Sequence, residues 1–293
     1  MGEKDITEKT LEDYNDVFAD IINVFLFGGE RLVREDDLIN TRNRSQLKIA
    51  GEIHEQERDN AKIWKNGLLR IAFIGIENQT VIDNTEPARV LSYDGASYKE
   101  QLLEIDRCRR NKTDIPKLIP VITLVVYYGK GKWTKKSLFE CVEVPEFLKA
   151  YVNDYKINVI NMSDLKPEIV NKFRSDFKFI AEYYECLYNN KEYKPSNGKM
   201  QHQDEVLKLM AVLTGDNRFE KSRQRLIEEG KENATMCEAL DIIEARGEAR
   251  GEIRERRKAI RNMIDLGVEK EKILMKYSEK DYEDAVDGEN DAG

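Results

Sequence analysis

Three polar side chains in the first third of the chain have the types and spacing to act on a phosphate ester. Glu77 and Gln79 stand two residues apart in IGIENQT, and Asp59 opens the preceding run DNAKIW. Side chains alternate along a strand, so Glu77 and Gln79 share one face while Ile74 and Ile76 take the other. Carboxylates on a common surface are the hard oxygen donors that hold Mg2+, whose remaining positions go to water and substrate phosphate. A cation held in this way activates water and stabilises charge developing on a phosphodiester.

Whether Asp59 joins Glu77 depends on how the two runs are connected. A two-residue Asn66-Gly67 turn sets Asp59 against Ile74, on the wrong face. A five-residue loop from Lys65 to Leu69 sets it against Gly75 and diagonal to Glu77, on the same face. The longer loop is the expected register, with Gly75 leaving room for a metal or a close backbone approach. Glu55 and Glu57 are the alternative acids.

The elements that must position these residues follow from periodicity. TLEDYNDVFADIINVFLFGG has Leu11, Tyr14, Phe18, Ile21, Ile22 and Phe25 at helical spacing, with Gly28-Gly29 as the stop. Thr10 and Asp13 resemble a capping box, and Asp16 and Asp20 lie one turn apart on one flank. From Leu38 to Glu57 the pattern is mixed, with a strand expected near Leu47 to Ile53. DNAKIW and RIAFIGIENQ form a hairpin, with Asn66-Gly67 the turn signal. Thr85, Pro87 and ARVLSYDGASYKEQLLEI predict a capped helix, weakened at Gly95. LIPVITLVVYY is a continuous β-branched run of strand length, as expected of a strand buried on both faces. INVINMSDL adds a strand, and PEIVNKFRSDFKFIAEYYECLY, HQDEVLKLMAVL and the tail after Met236 read as helices. This order implies an α/β layer structure around a small central mixed sheet. The expected units are a core over 1–165, a helical extension over 166–235 packed on it, and a charged helical tail over 236–293.

The chain has 293 residues, of which 35% are charged and 40% hydrophobic, polar for a globular protein but too apolar for a disordered one. No window approaches the roughly 18 to 20 apolar residues of a membrane span, and the expected location is cytoplasmic. Cys108, Cys141, Cys186 and Cys237 are widely separated and read as reduced thiols. A formal net charge of −8 does not suggest a protein that grips nucleic acid through its bulk field, so any DNA groove must be a local patch. Two runs offer one: Arg107, Arg109, Arg110 and Lys112, and Lys130, Lys132, Lys135 and Lys136 around Trp133. Taken alone, each run reads more readily as a solvated charged face. The tail, with its RGEARGE repeat and dense alternating charge, is a solvated helix or a partner-binding one, and a homo-oligomer contact is expected there.

Taken together, Asp59, Glu77-Asn78-Gln79, the helix PARVLSYDGASY and the strand VITLVVYYGKGKW resemble the Rpn family of recombination-promoting nucleases and YhgA-like transposases. That family has a PD-(D/E)XK nuclease fold in which E-x-K is commonly E-x-Q. YNDVFADIINVFLFGG resembles the family's opening helix, and RGEARGEIRERRKAIRNMIDLGVEKEKI resembles its closing repeat and helical tail. The resemblance implies a restriction-endonuclease-like core and a metal-dependent DNA endonuclease of low sequence specificity, linked to recombination or to mobile-element and phage conflict. Asp59 and Glu77 would hold Mg2+, or Mn2+, and Gln79 would stand where the wider fold has lysine. Asp16 would be the acid of the first helix, a lesser contributor near the site. The alternative is a catalytically inactive relative that binds nucleic acid or a partner protein.

Overall fold

The computed structural model describes residues 10–41, 44–49, 52–57, 59–191 and 193–287. The chain opens with a helical turn at residues 10–12 and the helix α1 (Asn15–Phe27), whose buried face carries Val17, Phe18, Ile21, Ile22 and Val24. The helix ends as its glycines require: Gly28 takes φ +61°, and the Gly29 N–H returns to the Asn23 carbonyl at 2.8 Å.

A short strand β1 (Leu38–Asn40) follows, then an antiparallel ribbon of β2 (Arg44–Ile49) and β3 (Glu52–Glu57), where a single strand was expected. The hairpin β4 (Asn60–Asn66) and β5 (Leu69–Gln79) leads into α2 (Glu86–Asn111), then β6 (Val121–Tyr127) and β7 (Asn158–Asn161). The main sheet has the order β1-β4-β5-β6-β7, antiparallel from β1 to β5 and parallel from β5 to β7. It is thus the small mixed sheet that the pattern implies. α2 runs 26 residues, past the expected end near Ile105, and Gly95 does not interrupt it.

The sheet buries both faces. Ile74, Ile76, Leu124 and Val126 pack with Phe18, Ile21 and Ile22 of α1, and Val125 and Tyr127 pack on the other side with Val90 of α2. Two-sided burial explains the unbroken apolar run in β6.

The later helices are α3 (Pro167–Val170), α4 (Phe177–Tyr188), α5 (Gln203–Thr214), α6 (Asn217–Glu228), α7 (Met236–Asp265), α8 (Lys270–Leu274) and α9 (Glu279–Asp287). The run read as one helix from Pro167 to Tyr188 is two, because the Asp20 carboxylate accepts the backbone N–H groups of Arg174 and Ser175, each at 2.7 Å. Those N–H groups are thereby diverted from a helical ladder. α6 was not expected; only Phe219, Ser222 and Leu226 of its twelve residues are buried. Met236 and Ala239, in the first turns of α7, belong to the same apolar cluster as α1, whereas Ile260, Ile273 and Ala285 form a separate small one. Among the described residues no helix is long and apolar enough to cross a membrane.

Candidate active site

The hairpin connection differs from both readings of the sequence. The turn is Gly67-Leu68, closed by Asn66 opposite Leu69, with Gly67 at φ +60°. A register shift then follows: Lys65 pairs with Arg70 but Trp64 with Ala72, leaving Ile71 as an extra residue in β5. Without this bulge Asp59 would fall opposite Ile76, on the core face. With it the ladder ends at Asn60 opposite Ile76; carried on by one residue, the same register brings Asp59 opposite Glu77, two residues beyond the expected Gly75. Asp59 and Glu77 therefore share a face. Asp59 is pinned there by the Asn78 backbone N–H, which donates to its Oδ2 at 2.7 Å.

The parallel pairing says which face this is. Glu77 lies beside Val125 and Gln79 beside Tyr127, both of which pack on the α2 side. Glu77 is almost fully buried and Gln79 half-buried at the strand end. Facing them is the start of α2, where Glu86 is fully buried and its Oε2 accepts from Arg89 at 3.1 Å. Burial pushes the Glu86 carboxyl up to about 7; Arg89 opposes the shift, and the Asp83 and Asp59 carboxylates add to it.

On the opposite face stands Glu12, also buried. It accepts from Asn78 Nδ2 at 2.6 Å, Asn60 Nδ2 at 3.2 Å and Tyr128 Oη at 3.3 Å. Burial pushes its carboxyl up to about 7 as well; the hydrogen bonds, led by Asn78, oppose the shift, and Asp59 reinforces it. Asp59 thus sits at the end of the sheet between two buried acids, one from each layer, and sequence reasoning found neither. Glu86 was hidden because an acid in a first helical turn is ordinary favourable dipole chemistry.

Asp16, the expected acid of the first helix, is placed elsewhere. Both of its oxygens bond His202 Nε2, at 3.0 and 3.1 Å, and the His202 ring stacks on Tyr14 with centroids 3.7 Å apart. The acid that the N-terminal segment delivers to Asp59 is Glu12. Glu55 and Glu57 lie on β3, where the side chains are outside the described residues.

The two basic runs separate along the length of α2. Because β5 and β6 are parallel, Lys130, Lys132, Lys135 and Lys136 follow the exit of β6 at the same end of the sheet as Gln79. Arg107, Arg109, Arg110 and Lys112 lie at the other end of α2, about 30 to 40 Å along its axis from Glu86. Trp133 is no stacking platform, since it is fully buried, edge-on to Tyr127, and its Nε1 donates to the Lys135 carbonyl at 2.8 Å.

Among the described residues the acids that act on one another around Asp59 are Glu12 and Glu86, and carboxylates suit a hard cation such as Mg2+. Among the described residues no three His, Cys, Asp or Glu side chains already converge as a cage for a metal. Comparison with protein-family models, with curated proteins and with solved structures finds no match.

Proposed function

We propose that this chain is a metal-dependent DNA endonuclease of low sequence specificity, built on a restriction-endonuclease-like PD-(D/E)XK core. The observation that supports the reading is the bulged β4–β5 register, which, continued one residue past Asn60, brings Asp59 opposite Glu77, with Gln79 two residues on. The order of first helix, hairpin, second helix and parallel strand supports the same fold, as does the family resemblance of those segments.

Asp59 and Glu77 are the residues that would hold Mg2+ or Mn2+, and the cation would supply Lewis-acid stabilisation of the phosphate and a more acidic water. Glu77 is shielded from solvent, which strengthens its pull on a cation. Gln79 offers a neutral amide, able to orient a water or a phosphate oxygen by hydrogen bonds but not to balance charge. The exposed Lys130 and Lys135 stand at the same strand end, where a DNA backbone would meet them, and contacts of that kind carry no sequence information.

The test is nicking of supercoiled plasmid by the full chain with Mg2+, Mn2+ or chelator, beside Glu77→Ala. Metal-dependent nicking that falls about a hundredfold or more in the variant is expected. Equal cutting by the variant would move the chemistry off β5. No cutting under any condition would favour a catalytically inactive relative that binds nucleic acid or protein.

A further inference from the structure

Glu86 is the acid that the pairing of Asp59 with Glu77 leaves out. It opens α2, where the aligned peptide dipoles favour negative charge. The start of that helix is held firmly: the Asp83 carboxylate accepts from both the Thr85 N–H and its hydroxyl, each at 2.7 Å. Arg89 serves one Glu86 oxygen and is shared with Asp83. The other oxygen, Oε1, is buried and has no hydrogen-bond partner among the described residues. A buried carboxylate oxygen left in that state costs free energy, and an ion or a water is the kind of partner that would satisfy it.

The charge around it is lopsided. Asp59 and Asp83 both act on Glu86 electrostatically, and Arg89 is the cation that opposes them. A second positive charge at this point would relieve the repulsion and supply the missing partner. We infer that Glu86 is a third protein oxygen donor, direct or through a coordinated water, to the divalent cation proposed for Asp59 and Glu77. The inference rests on that reading of the site. Like charges make it costly to bring the acids together, and a bound cation would offset that cost.

Mn2+ binding to the full chain, read by the loss of the free-ion paramagnetic resonance signal, tests this without any substrate. Wild type, Asp59→Asn, Glu86→Gln and Glu86→Asp are compared, with melting in chelator as the check on folding. Wild type should bind, Asp59→Asn should lose binding, and both Glu86 variants should bind about tenfold or more weakly. If Asp59→Asn loses binding while the Glu86 variants stay within about twofold of wild type, the Glu86 inference falls and the two-acid site stands. If Glu86→Gln does not fold, the Glu86→Asp result decides by the same criterion. If wild type binds no Mn2+, the reading of the site fails and takes the inference with it.

Discussion

At the scale of single residues, the pair of buried acids gives a signed prediction. The Glu12 carboxyl is raised from its ordinary 4.5 to about 7, so between those values the folded state holds a proton that the unfolded chain has released. Stability therefore falls as pH rises through that window, by an amount on the order of about 3 kcal/mol at most. In Glu12→Gln the amide oxygen can accept from Asn60 and Asn78 while the amide nitrogen donates to Tyr128. Urea denaturation in chelator should show this variant near wild type at pH 5 and more stable by about 1 to 3 kcal/mol at pH 8. An unchanged difference at the two pH values would remove Glu12 as the source. That Glu77 and Gln79 share a face was legible because side chains alternate along a strand. Glu12 was not, because LEDYND offers three acids and a uniform helix gives no reason to choose among them. The choice is made by buried Lys62, whose Nζ donates to the Asp13 carbonyl at 2.7 Å and to Asn40 at 2.6 Å. That contact accompanies the break between residues 12 and 15 that turns Glu12 inward.

At the scale of elements, the site depends on how closely the strand exits approach one another. A Cβ at Gly129 would lie 2.5 Å from the Thr80 carbonyl oxygen, which is backbone and cannot swing away. A Cβ at Gly131 would meet the Ile82 side chain at 3.3 Å, and that side chain can move. Gly129→Ala should therefore cost about 1 to 3 kcal/mol, with Gly131→Ala within about 0.5, measured by urea denaturation. Equal costs would mean that the β6 exit is looser than its packing against Thr80 indicates. β4, β5, β6 and β7 were readable from β-branched runs and a turn signal near Gly67, whereas β1 and the β2–β3 ribbon were not. The bulge at Ile71 was not, since a single extra residue leaves no mark in composition while it changes which face Asp59 joins.

At the scale of the whole molecule, the sequence boundary near residue 236 marks a change in charge but not in packing. Met236 and Ala239 are fully buried with the α1 side of the sheet, and Ser222 Oγ donates to the Ala239 carbonyl at 3.0 Å. Ending the chain after residue 241 should leave the main melting transition within a few degrees of wild type. Ending it after residue 235 should lower the midpoint by roughly 5 to 15 °C, followed by circular dichroism. Matching midpoints would show that the first turns of α7 add little to the core. The distal cluster of Ile260, Ile273 and Ala285 is tied by Arg257 to Asp284 and Arg256 to Asp281. Such partners are set by how the helices turn back on one another, which an alternating-charge repeat does not encode.

The way the first helix is fastened also dictates a timetable. Glu12 is held from Tyr128, Asp20 from Arg174 and Ser175, and Asp16 from His202. Chain synthesised from the N-terminus thus carries its earliest helix unclasped while most of the sequence is still being made, and contacts of such long separation form late. The helix next to Glu12 is fully fastened only after residue 202 has emerged, so a nascent chain, or one truncated before that point, would hold its N-terminal acids loosely until well past the middle of the sequence.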